Sequence, residues 1–228
     1  KNYSGDIMNF DMARELAEME DIEVESVVVD DDVAISKDAA NAGRRGIAGT
    51  IFVHKIAGAK AERGASLQEV KTTAEKVIAN MRSMGMALSP CTVPEAGKIR
   101  FTIGDDEMEI GMGIHGESGI IRTKIAPADE IAEQLLIPIL KDMPVAEGEE
   151  VAVLINGLGA TPLMELYIVN KRIHELLSET GIKVYKTMVG NYMTSLEMAG
   201  CSVTILKLDD ELKELLDDPA HTPGLTVD

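Results

Sequence analysis

The sequence predicts an α/β fold with two units and mixed sheets, the units dividing at about residue 80. Three observations predict it. Apolar residues recur at helical spacing in some stretches and alternate or run together in others, and the two kinds of stretch follow one another along the chain. Several helical stretches open with a Ser or Pro that follows a turn or a buried run. Strand-like stretches on either side of Pro94-Glu95-Ala96-Gly97 are direct neighbours, which adds an antiparallel pair to an otherwise alternating order.

The first helix is expected from about Asp6 to Met19, with Ile7, Phe10, Ala13 and Ala17 on one face and Asp6 or Asn9 as cap. Glu23–Val29 is Val-rich and reads as a strand that ends at Asp30-Asp31-Asp32. Residues 41–49 form a loop containing Gly and Arg. Thr50–Ile56 is either a short strand or a first helical turn, since periodicity does not separate the two. Ser66 and Glu69 make a capping box for a helix from Leu67 to about Met84, which Gly85 ends. Met86–Val93, Lys98–Ile103 and Glu107–Ile114 follow as strands, the last alternating Met108, Ile110, Met112 and Ile114 with smaller or charged residues. Pro127 opens a helix to about Lys141, Val151–Ile155 is a buried strand, and Pro162 opens a helix to about Glu179. Lys183–Val189 and Ser202–Leu208 are strands, and Asp209–Leu216 is a short acidic helix. The predicted units are residues 1–80 and 81–228.

Composition removes several classes of function. The chain has 228 residues, 45% hydrophobic and 27% charged, with a formal net charge of -17. Such a surface repels phosphate backbones and anionic membranes. Aromatic residues are only 3%, so stacking platforms for single strands are scarce. The expectation is no nucleic-acid partner and no membrane. The longest apolar run, near Gln134–Leu140, is far short of the roughly 20 residues of a membrane helix. Cys91 and Cys201 lie in apolar stretches and read as buried free thiols of a reducing cytoplasm. The chain opens at Lys1 without a methionine, directly in the turn-like Asn2-Tyr3-Ser4-Gly5-Asp6, and reads as entered partway.

Gly111-Met112-Gly113-Ile114-His115-Gly116 has the spaced glycines of a dinucleotide-binding turn, but the extended stretch Ile120–Ile125 stands where that turn requires a helix. The glycines instead permit a sharp backbone turn and leave room beside His115. His115 is open to two readings, a structural histidine or a nucleophile with one ring nitrogen attacking and the other held. With Glu117 it supplies only two metal ligands, so no metal site is expected. Asp6 is likewise open, as a helix cap or as an acceptor of a substrate proton. Asn156-Gly157-Leu158-Gly159-Ala160-Thr161-Pro162 joins a buried strand to a helix. It lacks the Gly-Lys-Ser/Thr ending of a P-loop, and reads as a structural turn. His54, His174 and His221 have no supporting arrangement.

Taken together, several segments resemble the dihydroxyacetone kinase substrate-binding subunit. They are Lys1-Asn2-Tyr3-Ser4-Gly5-Asp6 with Met8-Asn9-Phe10, Gly43-Arg44-Arg45-Gly46-Ile47-Ala48-Gly49-Thr50, Gly111–Glu117, Asn156–Gly159, and Gly190-Asn191-Tyr192-Met193-Thr194-Ser195 through Asp210. The resemblance implies that residues 1–80 are the C-terminal part of a first, incomplete domain, and that 81–228 carry a covalent histidine. By the same resemblance His115 matches the histidine that adds to the carbonyl of dihydroxyacetone as a hemiaminal. Asp6 matches the aspartate that binds a substrate hydroxyl and assists proton transfer, and Lys1 matches a lysine contacting the ketone.

The implied activity is phosphorylation of dihydroxyacetone by the phosphoenolpyruvate-dependent branch of the family. No cofactor is expected on this chain. Mg and ADP are expected on a partner kinase subunit, and a cytoplasmic homodimer is implied. The alternative within the family is a non-catalytic paralogue that senses the ligand and regulates transcription. Outside the family, the same residues would suit an unrelated α/β binding protein.

Overall fold

The computed structural model describes residues 4–35, 43–93, 97–99, 101–114 and 119–228. Its centre is a six-stranded mixed sheet in the order β5-β4-β1-β8-β6-β7, formed by β1 (Met81–Ala87), β4 (Glu107–Ile110), β5 (Ile121–Lys124), β6 (Glu150–Gly157), β7 (Lys183–Gly190) and β8 (Gly200–Leu208). β6 and β7 run parallel, joined through the helix α5 (Leu163–Glu179), and every other neighbouring pair in this sheet is antiparallel. The predicted α/β class with a mixed sheet is therefore the observed one.

Period-2 alternation sorts the central strands onto two apolar faces. Met84, Met86, Val151, Val153, Ile155, Cys201, Val203 and Ile205 face α4 (Ala128–Asp142) and α5, in a core completed by Leu135, Leu136, Ile139, Leu166 and Ile173. Met81, Ala152, Leu154 and Leu206 face the other way, toward α2 (Thr50–Glu62), α3 (Leu67–Ala79) and α6 (Asp210–Asp217). Residue 80 lies between α3 and β1. A smaller cluster, Ile47, Ala87, Cys91, Met112, Ile114, Leu158 and Met198, closes one end of the sheet.

The open choice at Thr50–Ile56 resolves as helix. Phe52, Val53, Ile56 and Ala59 are buried at helical spacing, which a strand would split between two faces. Two expectations are corrected. The helix predicted to reach Met84 ends at Ala79, and Gly85 lies in mid-strand. Val77, Met81 and Met84 continue a helical period in sequence, but Met81–Ala87 pairs residue for residue with Gly200–Leu206, and that ladder prevails. Glu23–Val29 is not a strand and has no ladder partner among the described residues. Instead it walls a cleft of about 250 Å³ under α1 (Ser4–Glu18), with Ile7, Phe10 and Val53.

Other strands are shorter than expected. β2 (Thr92–Val93) and β3 (Lys98–Ile99) form a two-stranded ribbon, and β4 stops at Ile110, before the glycine pair. The hairpin of β9 (Ala220–Thr222) and β10 (Leu225–Val227) was not expected. Each arm has only three residues, too few for an alternating pattern to show.

Candidate functional site

On the α2 face of the sheet the small polar residues Ser83, Thr204, Ser202 and Asn156 are buried in the central strands. Ser83 Oγ lies 2.6 Å from Thr204 Oγ1 and donates to the Asp31 carboxylate. Asp31 in turn accepts the backbone N–H groups of Ile47 at 2.8 Å and Gly49 at 2.9 Å. A buried carboxylate thus supplies the acceptor that Gly49, which has no side chain, cannot supply at the start of α2. A Cβ on Gly49 would lie 2.5 Å from Asp31 Oδ2, so only glycine admits this approach.

The neighbouring arginines of the same loop reach two distant elements. Arg44 forks onto Asp142 at the end of α4, Nη2 to Oδ1 at 2.6 Å and Nη1 to Oδ2 at 2.9 Å, and Arg82 Nε meets the same carboxylate at 2.6 Å. Arg45 is buried; its Nε donates to Asp32 Oδ2 at 2.8 Å and its Nη2 donates to the Gly111 carbonyl at 2.7 Å. Burial raises the Asp32 carboxyl to about 6, against the opposing pull of the Arg45 guanidinium.

Gly111 is where β4 leaves the sheet. Its φ is +79°, its N–H donates to the Gly85 carbonyl at 2.6 Å, and a Cβ there would meet Ala34 Cβ and Ile120 Cγ1 at 2.9 Å each. The chain then buries Met112 and Ile114 in the end cluster. It returns at Gly119, whose N–H donates to Glu109 Oε1 at 2.6 Å, and at Ile120, whose N–H donates to the Ile110 carbonyl at 2.8 Å. Glu109 is buried and accepts from Arg122 Nη2 at 2.8 Å.

Of the three predicted site residues the described geometry places only Asp6. Helix α1 begins at Ser4, so Asp6 lies inside its first turn and not at the cap position. A carboxylate there faces the positive end of the helix dipole. Lys1 and His115 lie outside the described residues, as does Glu117.

Sequence reasoning missed the roles of Asp31, Asp32, Arg45 and Glu109. The acidic run at 30–32 and the paired arginines were visible signals, but not which of them meet. The loop 156–161 is held by its own side chains. Asn156 Oδ1 accepts from the N–H groups of Tyr192 and Met193, and Thr161 Oγ1 accepts from Gly200 N–H and donates to its carbonyl. Cys91 and Cys201 are free and buried, and burial pushes the Cys201 thiol up to about 12. A groove of about 740 Å³ between α2 and residues 218–225 is walled by His54, Lys55, Tyr192 and His221, and Asp6 is not among its described lining residues.

Compared with known families, residues 1–224 match the model of the Dak1 domain. The chain belongs to the Dak1 family. A relative in Listeria innocua, the dihydroxyacetone-binding subunit DhaK of PTS-dependent dihydroxyacetone kinase 1, is 57% identical over 211 residues, covering 92% of this chain and 64% of the relative. The corresponding subunit of the PEP-dependent kinase of Escherichia coli is 41% identical over 249 residues, covering 99% and 70%. Among solved structures, the dihydroxyacetone kinase operon co-activator Dha-DhaQ superposes with a TM-score of 0.88 at 34% identity, covering 96% of this chain and 68% of that one. The dihydroxyacetone kinase of C. freundii gives 0.85 at 32%, covering 100% and 41%. This Dak1 chain therefore spans about two thirds of the length of the subunit relatives it matches. No helix among the described residues is long and apolar enough to cross a membrane.

Proposed function

We propose that this Dak1 chain is part of the dihydroxyacetone-binding subunit of a phosphotransferase-dependent dihydroxyacetone kinase. The observation that carries the reading is the 57% identity to a subunit of that name over 92% of the chain. In this reading residues 1–80 complete a first domain and residues 81–228 form the domain that carries the covalent histidine. The protein works as a cytoplasmic homodimer with an ADP-carrying partner subunit that holds Mg.

A ring nitrogen of His115 adds to the ketone carbon, the C=O π bond becomes a hydroxyl, and the other ring nitrogen gives up its proton, so that nothing leaves. The ketone is then held in one pose before phosphoryl transfer, which removes the entropy of orienting it. Lys1 contacts the ketone. Asp6 binds a substrate hydroxyl and accepts its proton as the oxygen attacks the phosphoryl group. Glycerol, with no carbonyl, forms no such bond, and a missing reactive group discriminates more strongly than hydrogen bonds between similar polyols.

The structural likeness to an operon co-activator supports a second reading, a ligand sensor that keeps the histidine and transfers no phosphoryl group. Calorimetric titration with dihydroxyacetone and glycerol, followed by turnover with the ADP-carrying partner subunit, rephosphorylated by the phosphoenolpyruvate-dependent phosphotransferase, separates the two. The kinase reading expects ketone binding, no glycerol binding, loss of binding in His115→Ala, and product formation. Ketone binding without product selects the sensor. Undiminished ketone binding by His115→Ala removes the covalent role.

A further inference from the structure

Two strands each leave one edge without a described neighbour, and both edges line one cleft. β7 is the end strand of the six-stranded sheet and pairs with β6, while β10 pairs with β9. A cleft of about 380 Å³ is lined by residues 186–189 of β7 and by all of β10, Leu225–Val227. Side chains of a strand alternate between faces, so a cleft over a face meets every second residue. One lined by consecutive residues runs along the edges. This slot continues into the groove of about 740 Å³ beside α2, since Lys55, Tyr192 and Leu225 line both. Lys55 stands where the two join. It is 7% exposed, its ammonium donates to the Leu215 carbonyl at 2.7 Å, and it forms no ion pair with a described residue. Asp218 and Asp217, which act on it from further off, are already held by Arg63 and by Lys186. A buried cation without its own counter-charge is costly.

We infer that slot and groove seat one extended segment of the same subunit, from outside residues 1–228, which adds as a strand between β7 and β10 and turns a carboxylate toward Lys55. The inference rests on the reading of this chain as part of the dihydroxyacetone-binding subunit, whose relatives it matches over about two thirds of their length. Each open edge offers a row of unpaired N–H and C=O groups, and a single inserted strand satisfies both rows at once. Tyr167, exposed on α5, lines the slot and supplies an apolar wall for the strand's side chains. Charge selects the same occupant. A second copy brings its formal charge of -17 against an equal charge, whereas one carboxylate on a short segment meets the buried cation without that repulsion.

The test uses the full-length subunit. Residue-resolved hydrogen exchange is followed at the amides of 186–189 and 225–227 that the β6 and β9 ladders leave unpaired, and a photoreactive benzoylphenylalanine is placed at Thr226. Those amides are expected to exchange about a hundredfold or more slower than unstructured chain, at every protein concentration. Light is expected to join position 226 to a peptide of the same molecule outside residues 1–228. Fast exchange at both edges overturns the inference, as does an adduct confined to residues 1–228 or one that joins two copies or the partner subunit. Lys55→Met, which keeps the length and loses the charge, is expected to speed the same exchange by about tenfold or more. An effect confined to residues 212–216 assigns the ammonium to the end of α6 alone and overturns its pairing with the segment. Ketone binding by the same preparation keeps the two failures apart. Binding with fast-exchanging edges sinks this inference alone, and slow edges with the expected adduct but no ketone binding sink the subunit reading alone.

Discussion

Gly159 shows how a single position couples two loops. Its φ is +130°, and a Cβ there would lie 1.9 Å from the Leu196 carbonyl oxygen. No side-chain rotamer relieves a clash with backbone. Gly159→Ala is expected to destabilise the fold by at least about 2 kcal/mol, combining left-handed strain with a displaced 190–200 segment, read as a lowered urea midpoint with unchanged slope. Gly5, by contrast, has nothing within 4 Å of its would-be Cβ. The same scale contains the limits of the predicted site. Asp6 was singled out by its family motif, and it lies in the first turn of α1. No feature of Asp32 or Glu109 as isolated residues distinguishes them from the other 37 acidic side chains among the 39 in the chain.

At the scale of elements, the helices that carry their own start signals are the ones legible from sequence. Ser66 accepts from the Glu69 N–H while Glu69 Oε2 accepts from the Ser66 N–H at 2.8 Å, the full capping box. Ser66→Ala removes one acceptor at an exposed helix start and is expected to cost about 1 kcal/mol, measured as a fall in thermal midpoint with no change in ketone binding. The other end of α3 was misplaced because Met is a good helix former and Met81 and Met84 extend the apolar period. What stops the helix is β8, more than 110 residues later in the chain. α2 is the complementary case: its start has no side-chain cap, and the carboxylate at its N-terminus comes from Asp31, across the sheet edge.

For the molecule as a whole, Asp142 ties the loop at residues 43–49, β1 and α4 together through Arg44 and Arg82. Hydrogen bonds from Arg44 hold its carboxyl well below the usual range, against the opposing effect of burial, and Arg82 adds to them. The folded value lies below the unfolded one of about 3.9. Its stabilisation is therefore complete above that pH and is lost as pH falls toward the folded value. Asp32 acts in the opposite sense. Its folded value of about 6 is raised, so its contribution is most favourable below about pH 4 and declines as pH rises through 6. Asp142→Asn is expected to lower stability at neutral pH by roughly 3 kcal/mol, because two arginines of low exposure lose their counter-charge. It should also flatten the loss below about pH 4. Urea midpoints measured from neutral pH to about pH 3 check both statements. A parallel acid profile in parent and variant would assign the acid sensitivity to other carboxylates.

The sequence by itself determined the α/β class, the strands β6, β7 and β8 and most helix starts, because periodicity and caps are properties of contiguous residues. It also identified the family, through motifs spread along nearly the whole chain. Only the tertiary structure decided where α3 stops, that the Val-rich stretch 23–29 has no described ladder partner, and which charges meet. Arg45 and Gly111 are 66 residues apart, and Arg44 and Asp142 are 98 apart. A strand exists only where a neighbour offers a ladder, and a buried ion pair only where two distant side chains are brought together and dried. Both conditions are set by the packed whole, so neither leaves a pattern in the stretch of chain where it is eventually found.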